Sequence, residues 1–159
     1  MLIENLKKHP HVIHTLSEWH YAQWGYLHPG DSPANRASWF QKHLAGLSMP
    51  ATFLALLEYT LLGSASLIEY DMDERKDLAP WLASVYVAPE HRRRGVASAL
   101  VNRVVEEAGR LGVDTLYLYT PDQESLYARL GWTPFERTEH RGQRIVIMTI
   151  EPPRDRCKT

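Results

Sequence analysis

Beyond residue 50 the chain alternates short apolar runs with one long amphipathic stretch. Residues 52–57 and 61–70 are rich in apolar side chains and separated by Glu58, Tyr59 and Thr60, which predicts two successive strands joined by a short turn. Residues 71–77 are polar and acidic and read as a loop. Residues 81–87 form a third strong strand that Pro89 ends. Val96, Leu100, Val104, Ala108 and Leu111 then fall on one stripe at helical spacing, so 95–111 is the best helix in the chain, stopped by Gly112. A strand at 115–119, a short helix at 123–130 ended by Gly131, and a closing antiparallel pair at 132–136 and 143–150 complete this half.

Before residue 50 the pattern is more helical. Residues 1–5 read as a short strand. Pro10 suits the first turn of a helix to about Trp24, with Val12, Ile13, Leu16, Trp19 and Trp24 marking its apolar face. Turn residues cluster at 25–31, and Ser32-Pro33 supplies an N-cap and first-turn proline for a second helix to about Gly46. The order β-α-α-β-β-β-α-β-α-β-β predicts a mixed α/β sheet with helices packed on it.

Composition narrows what such a domain does. With 159 residues the chain suits one core rather than two, and we expect a single domain over 1–151 with a loose tail at 152–159. Hydrophobic residues at 44% and charged residues at 23% are globular proportions. A net charge of −1 gives no global field toward nucleic acid or membrane, so any anion must be recognised locally. The one cysteine, Cys157, excludes an internal disulfide, and the start is too short and charged for a secretory apolar region. No apolar run approaches a membrane span. The expectation is a cytoplasmic protein without nucleic-acid or membrane partners.

Candidate chemistry concentrates where the third strand meets the long helix, at Val87-Ala88-Pro89-Glu90-His91-Arg92-Arg93-Arg94-Gly95-Val96-Ala97. A helix N-terminus offers free N–H donors and the positive end of its dipole, which together favour phosphate. Gly95 and the small Ala97 let a ligand approach the backbone, and Arg92, Arg93 and Arg94 add charge. Taken alone, the segment also reads as a solvated basic turn. It is neither a P-loop, since no Lys-Ser/Thr follows Gly95, nor a dinucleotide fingerprint.

This segment resembles the acetyl-CoA pyrophosphate loop of the GNAT acetyltransferase superfamily, R/Q-x-x-G-x-G/A, here Arg92-x-x-Gly95-x-Ala97. The likeness continues in register through Leu126-Tyr127-Ala128-Arg129-Leu130-Gly131-Trp132, which is similar to the family's F/L-Y-x-x-x-G-F/W signature. It covers residues 50–150 well and the first two helices only in layout. The resemblance implies the GNAT fold: a mixed, mostly antiparallel sheet whose two central parallel strands splay to form the cofactor cleft. It also implies acetyl-CoA as cosubstrate, no metal, and transfer of acetyl to a primary amine by direct attack in a ternary complex. The other class of function it leaves open is a non-catalytic acyl-CoA-binding or regulatory module.

Carried onto this sequence, the resemblance implies main-chain contacts to the pantetheine arm from Val85 and Val87, and amides at Arg92, Arg93, Arg94, Gly95, Val96 and Ala97 around the pyrophosphate. It implies that Tyr127 assists the departing CoA thiolate, against a plainer reading as a buried aromatic anchor. Many relatives carry Asn and Ala where this chain has Thr120 and Gln123. Where the histone-acetylating branch carries its catalytic glutamate, this chain has Trp81, so no base is inherited.

The base matters energetically. Neutralising a lysine-like amine at pH 7 costs roughly 4–5 kcal/mol, whereas an α-amino group needs only about 1 kcal/mol. Glu69, Asp71, Asp122 and His140 are candidates, Glu69 first because it ends a strand adjacent to the central one; Ser84 is placed to orient a water. Each also reads as an ordinary surface or sheet residue. His9, His11 and His14 lack a third ligand at suitable spacing, so no metal site is expected. Trp19, Tyr21, Trp24, Tyr26, Trp39 and Phe40 are core aromatics in the plain reading; in the family layout some border an amine site. Asp71, Asp73, Glu74 and Asp77 are either a wet loop or an attraction for a cation. The residues at 120–127 are also similar to some protein N-terminal acetyltransferases. Small amines, aminoglycosides and peptide N-termini therefore stay open as acceptors, and pairing of the closing strands leaves a homodimer open.

Overall fold

The computed structural model describes residues 1–46 and 48–154. Eleven elements carry the architecture: β1 (Leu2–Asn5), α1 (Ile13–Trp24), α2 (Pro33–Ala45), β2 (Ala51–Leu57), β3 (Thr60–Ile68), β4 (Trp81–Val87), α3 (Val96–Arg110), β5 (Leu116–Thr120), α4 (Glu124–Arg129), β6 (Thr133–His140) and β7 (Gln143–Ile150). The sheet order is β1-β2-β3-β4-β5-β7-β6, antiparallel except for β4 beside β5. The expected order of strands and helices is therefore present, as is the mixed, mostly antiparallel sheet with a central parallel pair.

Side-chain alternation puts helices on both faces of this sheet. Phe53, Leu82, Leu116, Leu118, Val146 and Met148 point to one face, where Leu100, Val101 and Val104 of α3 cover them. Leu54 and Leu56 point the other way, onto Leu16 of α1 and Phe40 of α2. On that same side Trp81, Ala83, Ile145 and Ile147 form a second cluster with Met72 and Leu78. Each fully buried leucine or phenylalanine contributes about 1.5–3 kcal/mol, so both layers hold the sheet in place.

The departures from expectation have local causes. Residues Pro10–Val12 form a 3₁₀ turn before α1 rather than its first turn, the tighter winding that often opens a helix. Gly95 precedes α3 as its N-cap, with φ of 79°. β6 runs four residues beyond the expected 136, because its ladder with β7 continues to the pair His140↔Gln143. Pro152 is buried, and the Pro153 carbonyl lies so close to Gly109 that a Cβ there would sit 2.1 Å from it. The tail thus lies on α3 at Pro152 and Pro153, and Arg154 pairs with Asp114; Cys157 and the rest of the expected loose tail lie outside the described residues.

Two irregularities shape the centre. The parallel strands β4 and β5 are paired only at Trp81↔Tyr117 and then diverge. Opposite them, β3 advances two residues from Ser64 to Ser66 while β4 moves three, from Tyr86 to Ala83. The extra residue is a β-bulge, with Ser84 at φ 56°. β4 is therefore kinked while it stays paired with β3 to Val87, beyond the point where it leaves β5.

Candidate active site

The fork between β4 and β5 opens a cleft of about 1210 Å³. It reaches from the α3 N-terminus to the turn after α1 and the β6–β7 hairpin. Because alternate residues of β5 face opposite layers, Leu118 turns toward α3 while Tyr119 turns toward the α2 side. The cleft crosses the sheet, with a different chemistry at each end.

At the α3 end the chain leaves β4 through a 3₁₀ turn at Pro89–His91 and enters the helix through two left-handed residues, Arg93 at φ 63° and Gly95 at φ 79°. These dihedrals curl successive amides into a concave turn beneath the helix N-terminus, an arrangement suited to an anion. A Cβ on Gly95 would meet nothing within 4 Å, so glycine is required there by its conformation and not by space. Val85, Val87, Arg92, Arg93, Gly95, Val96 and Ala97 all line the cleft, and Arg94 does not. Arg92 turns back on the strand: its Nε donates to the Val87 carbonyl at 2.8 Å and its guanidinium lies 5.8 Å from the Tyr86 ring centre. That bond occupies the Val87 carbonyl expected to face a pantetheine arm.

Tyr127 of α4 lines the same end and is buried against Trp132, with ring centres 6.2 Å apart. Its backbone carbonyl accepts from Leu130 and Trp132 at 3.0 Å, which fixes the helix end. Burial, with the nearby Asp122 carboxylate, pushes its hydroxyl up to about 12, so it is neutral and a donor at pH 7. Thr120 caps the turn before α4, accepting from the Gln123 amide at 3.0 Å.

The opposite end is built from Trp24, Tyr26 and Trp39, with Tyr70, Asp71 and Tyr119 facing them. Asp31 and Arg36, both mostly buried, pair at 2.7 Å and pin the turn after α1 onto α2. Asp71 is half-buried here; burial, and secondarily Asp73, push its carboxyl up to about 7, while Arg141 pulls the other way. Burial and the Asp71 charge in turn raise Tyr119 well above the ordinary phenol range.

The other base candidates sit elsewhere. Glu69, preferred on sequence, is exposed just past β3, acts on the Tyr70 hydroxyl, and does not line the cleft. His140 is buried outside it, with Nδ1 on the Glu74 carboxylate and its ring 4.9 Å from Tyr119. Asp122 is exposed at the Tyr127 end. Trp81 is buried with its indole N–H donating to the Leu78 carbonyl at 2.7 Å, a structural role. Ser84 lines the cleft at the bulge. Of the early aromatics, Phe40 belongs to the core, Tyr21 is exposed, and Trp19 packs on Tyr86 at 5.4 Å.

Two buried histidines support the site from beneath and were not singled out by sequence. His20 of α1 faces Ser64 at 3.2 Å, and burial followed by the Arg36 charge pulls it down to about 3. His43 of α2 lies 2.6 Å from the Thr52 hydroxyl, which is 2.8 Å from Ser66; burial lowers it to about 4. The only sequence signal was that His20 follows Leu16 by four residues, on the apolar face of α1. His9 and His14 instead contact Glu4 and Glu18. Among the described residues no helix is long and apolar enough to cross a membrane.

The sequence model described as "Acetyltransferase (GNAT) family" matches residues 13–132. Among solved structures, the chain is similar to yncA, a putative acetyltransferase from Salmonella typhimurium with its cofactor acetyl-CoA: 19% identity, 99% of this chain and 96% of that one, TM-score 0.72. The ribosomal-protein-alanine N-acetyltransferase from Brucella melitensis aligns at 18% identity over 95% of this chain and 99% of its own, TM-score 0.74. Spermidine N-acetyltransferase from Vibrio cholerae, in complex with CoA and spermine, aligns at 21% identity over 95% of both chains, TM-score 0.69. At these identities the likeness speaks for the fold. A comparison with curated proteins gives no significant match.

Proposed function

The chain belongs to the GNAT acetyltransferase family, and on that premise we propose that it transfers acetyl from acetyl-CoA to a primary amine by direct attack in a ternary complex. The observation that carries this reading is the cleft itself. It joins an anion-binding helix entry and a neutral buried tyrosine on one side of the sheet to a carboxylate near 7 on the other. Acetyl-CoA bound to relatives of the same fold supports the cosubstrate. The left-handed turn at Arg93 and Gly95 suits its pyrophosphate, and β4 offers main-chain groups to the thioester arm.

The reaction then follows from the residues present. Asp71, ionised in a substantial fraction at neutral pH, takes a proton from the incoming amine. The amine nitrogen attacks the thioester carbonyl, and the oxyanion rests on an N–H freed at the β4 bulge. The attacking nitrogen gives its second proton to solvent, and the carbon–sulfur bond breaks as the tetrahedral centre collapses. Tyr127 donates a hydrogen bond to the departing thiolate; with its hydroxyl near 12, it serves as a neutral donor and solvent supplies the final proton. Asp71 replaces Glu69 as the proposed base because it alone of the two lines the cleft. The working domain is read as 1–151.

The test is thiol release from acetyl-CoA against polyamines, aminoglycosides, amino acids and short peptides. Release with one acceptor class supports the enzyme. Failure of acetyl-CoA to bind by calorimetry refutes it.

A further inference from the structure

The acceptor end of the cleft carries an uneven set of charges. Asp31 and Arg36 neutralise one another at 2.7 Å. Burial, Arg141 and Arg36 hold His28 below the ordinary imidazole range, so it is neutral at pH 7. Asp71 must be free to exchange a proton. Arg141 remains. It stands in the turn between β6 and β7, lines the cleft, and gives one hydrogen bond, from Nη1 to the Leu27 carbonyl at 3.4 Å. Among the described residues it has no carboxylate at ion-pair distance, although Asp71 lies close enough to feel its charge.

A guanidinium carries five N–H donors in a planar fork that matches a carboxylate two bonds at a time. Arg141 lines the cleft with most of that fork unspent. A polycation would find less: among the described residues lining the cleft, Asp31 is already committed to Arg36, Asp122 lies at the far Tyr127 end, and Arg141 adds an unpaired positive charge. Resting on the acetyltransferase reading, we propose that the acceptor is a small amine that also bears a carboxylate, of the α-amino acid kind, with the carboxylate on Arg141 and the amine toward Asp71. The chemistry of transfer is unchanged, and Arg141 fixes which end of the acceptor enters.

The test is thiol release from acetyl-CoA with the common α-amino acids, their methyl esters and spermidine. Esterification removes the anion and keeps the amine, so at least one free acid should exceed both its ester and spermidine in kcat/KM by about tenfold or more, the size of a charge-assisted contact. In Arg141→Gln the acid-to-ester ratio should fall by about tenfold, and in Arg141→Glu it should invert. Arg141 is exposed on a hairpin turn, so both variants retain the fold. Esters or spermidine used as well as the acids, or an unchanged ratio in both variants, would overturn the proposal while leaving an acetyltransferase. No release with any amine would overturn both readings.

Discussion

Replacing Asp71 with Asn separates two consequences of one buried charge. In the folded protein the Asp71 carboxyl is pushed from 3.8 to about 7, chiefly by burial. The native state therefore holds an extra proton between about pH 4 and 7, and the wild type loses that stabilisation as pH rises through 7. A rise of this size corresponds to about 4 kcal/mol when the group is forced to ionise. Solvent reaching the half-buried carboxylate reduces this to about 2 kcal/mol. Asn carries no such cost, so Asp71→Asn should melt about 4–8 °C above the wild type at pH 8.5, and close to it at about pH 4. The same variant should lose about 10²-fold or more in kcat/KM, the usual contribution of a positioned base, and lose the wild-type rise in rate through about pH 7. Thermal melts at the two pH values and pH–rate profiles measure both effects. Equal melting differences at both pH values, or an equal loss of activity in Glu69→Gln, would refute the assignment.

Tyr127→Phe should keep acetyl-CoA affinity by calorimetry while kcat falls at least about tenfold; an unchanged kcat would remove the tyrosine from the reaction. Gly95→Ala places an L-residue at φ 79° and should cost about 1–2 kcal/mol, seen as a lower melting temperature, together with a higher KM for acetyl-CoA as the amides of the turn reorient. His20 and His43 are held neutral when folded, at about 3 and about 4, and charge near 6.5 when unfolded. Their stabilisation is complete above pH 6.5 and is lost as pH falls toward those values. In the Asp71→Asn background, where the opposing contribution is gone, the melting temperature should decline between pH 6.5 and 5.

The strands at 81–87 and 143–150 were readable to the residue, because alternation of apolar side chains and flanking turn residues act locally. The fork between β4 and β5 was reached through the family resemblance; nothing in local periodicity announces where two strands separate. The extent of β6 depends on its ladder with β7, a cross-strand fact. The base shows the same limit more sharply. Glu69 ranks first on sequence because the pattern predicts a strand to residue 70 and a loop at Asp71, yet β3 ends at Ile68 and of the two only Asp71 lines the cleft, among groups from β5 and the β6–β7 turn. Arg141 drew no attention as a lone basic residue beside Gly142; its meaning comes from the wall it faces. His20 and His43 looked like ordinary helix residues because their hydroxyl partners, Ser64 and Thr52, come from the sheet.

The most direct measurement is mass analysis of the amine acceptors after incubation with acetyl-CoA, alongside thiol release. The account predicts an N-acetylated amine formed in step with free CoA by the wild type, and sharply less by Tyr127→Phe and Asp71→Asn. Acetyl-CoA that binds without any amine becoming acetylated, or that does not bind at all, would contradict it.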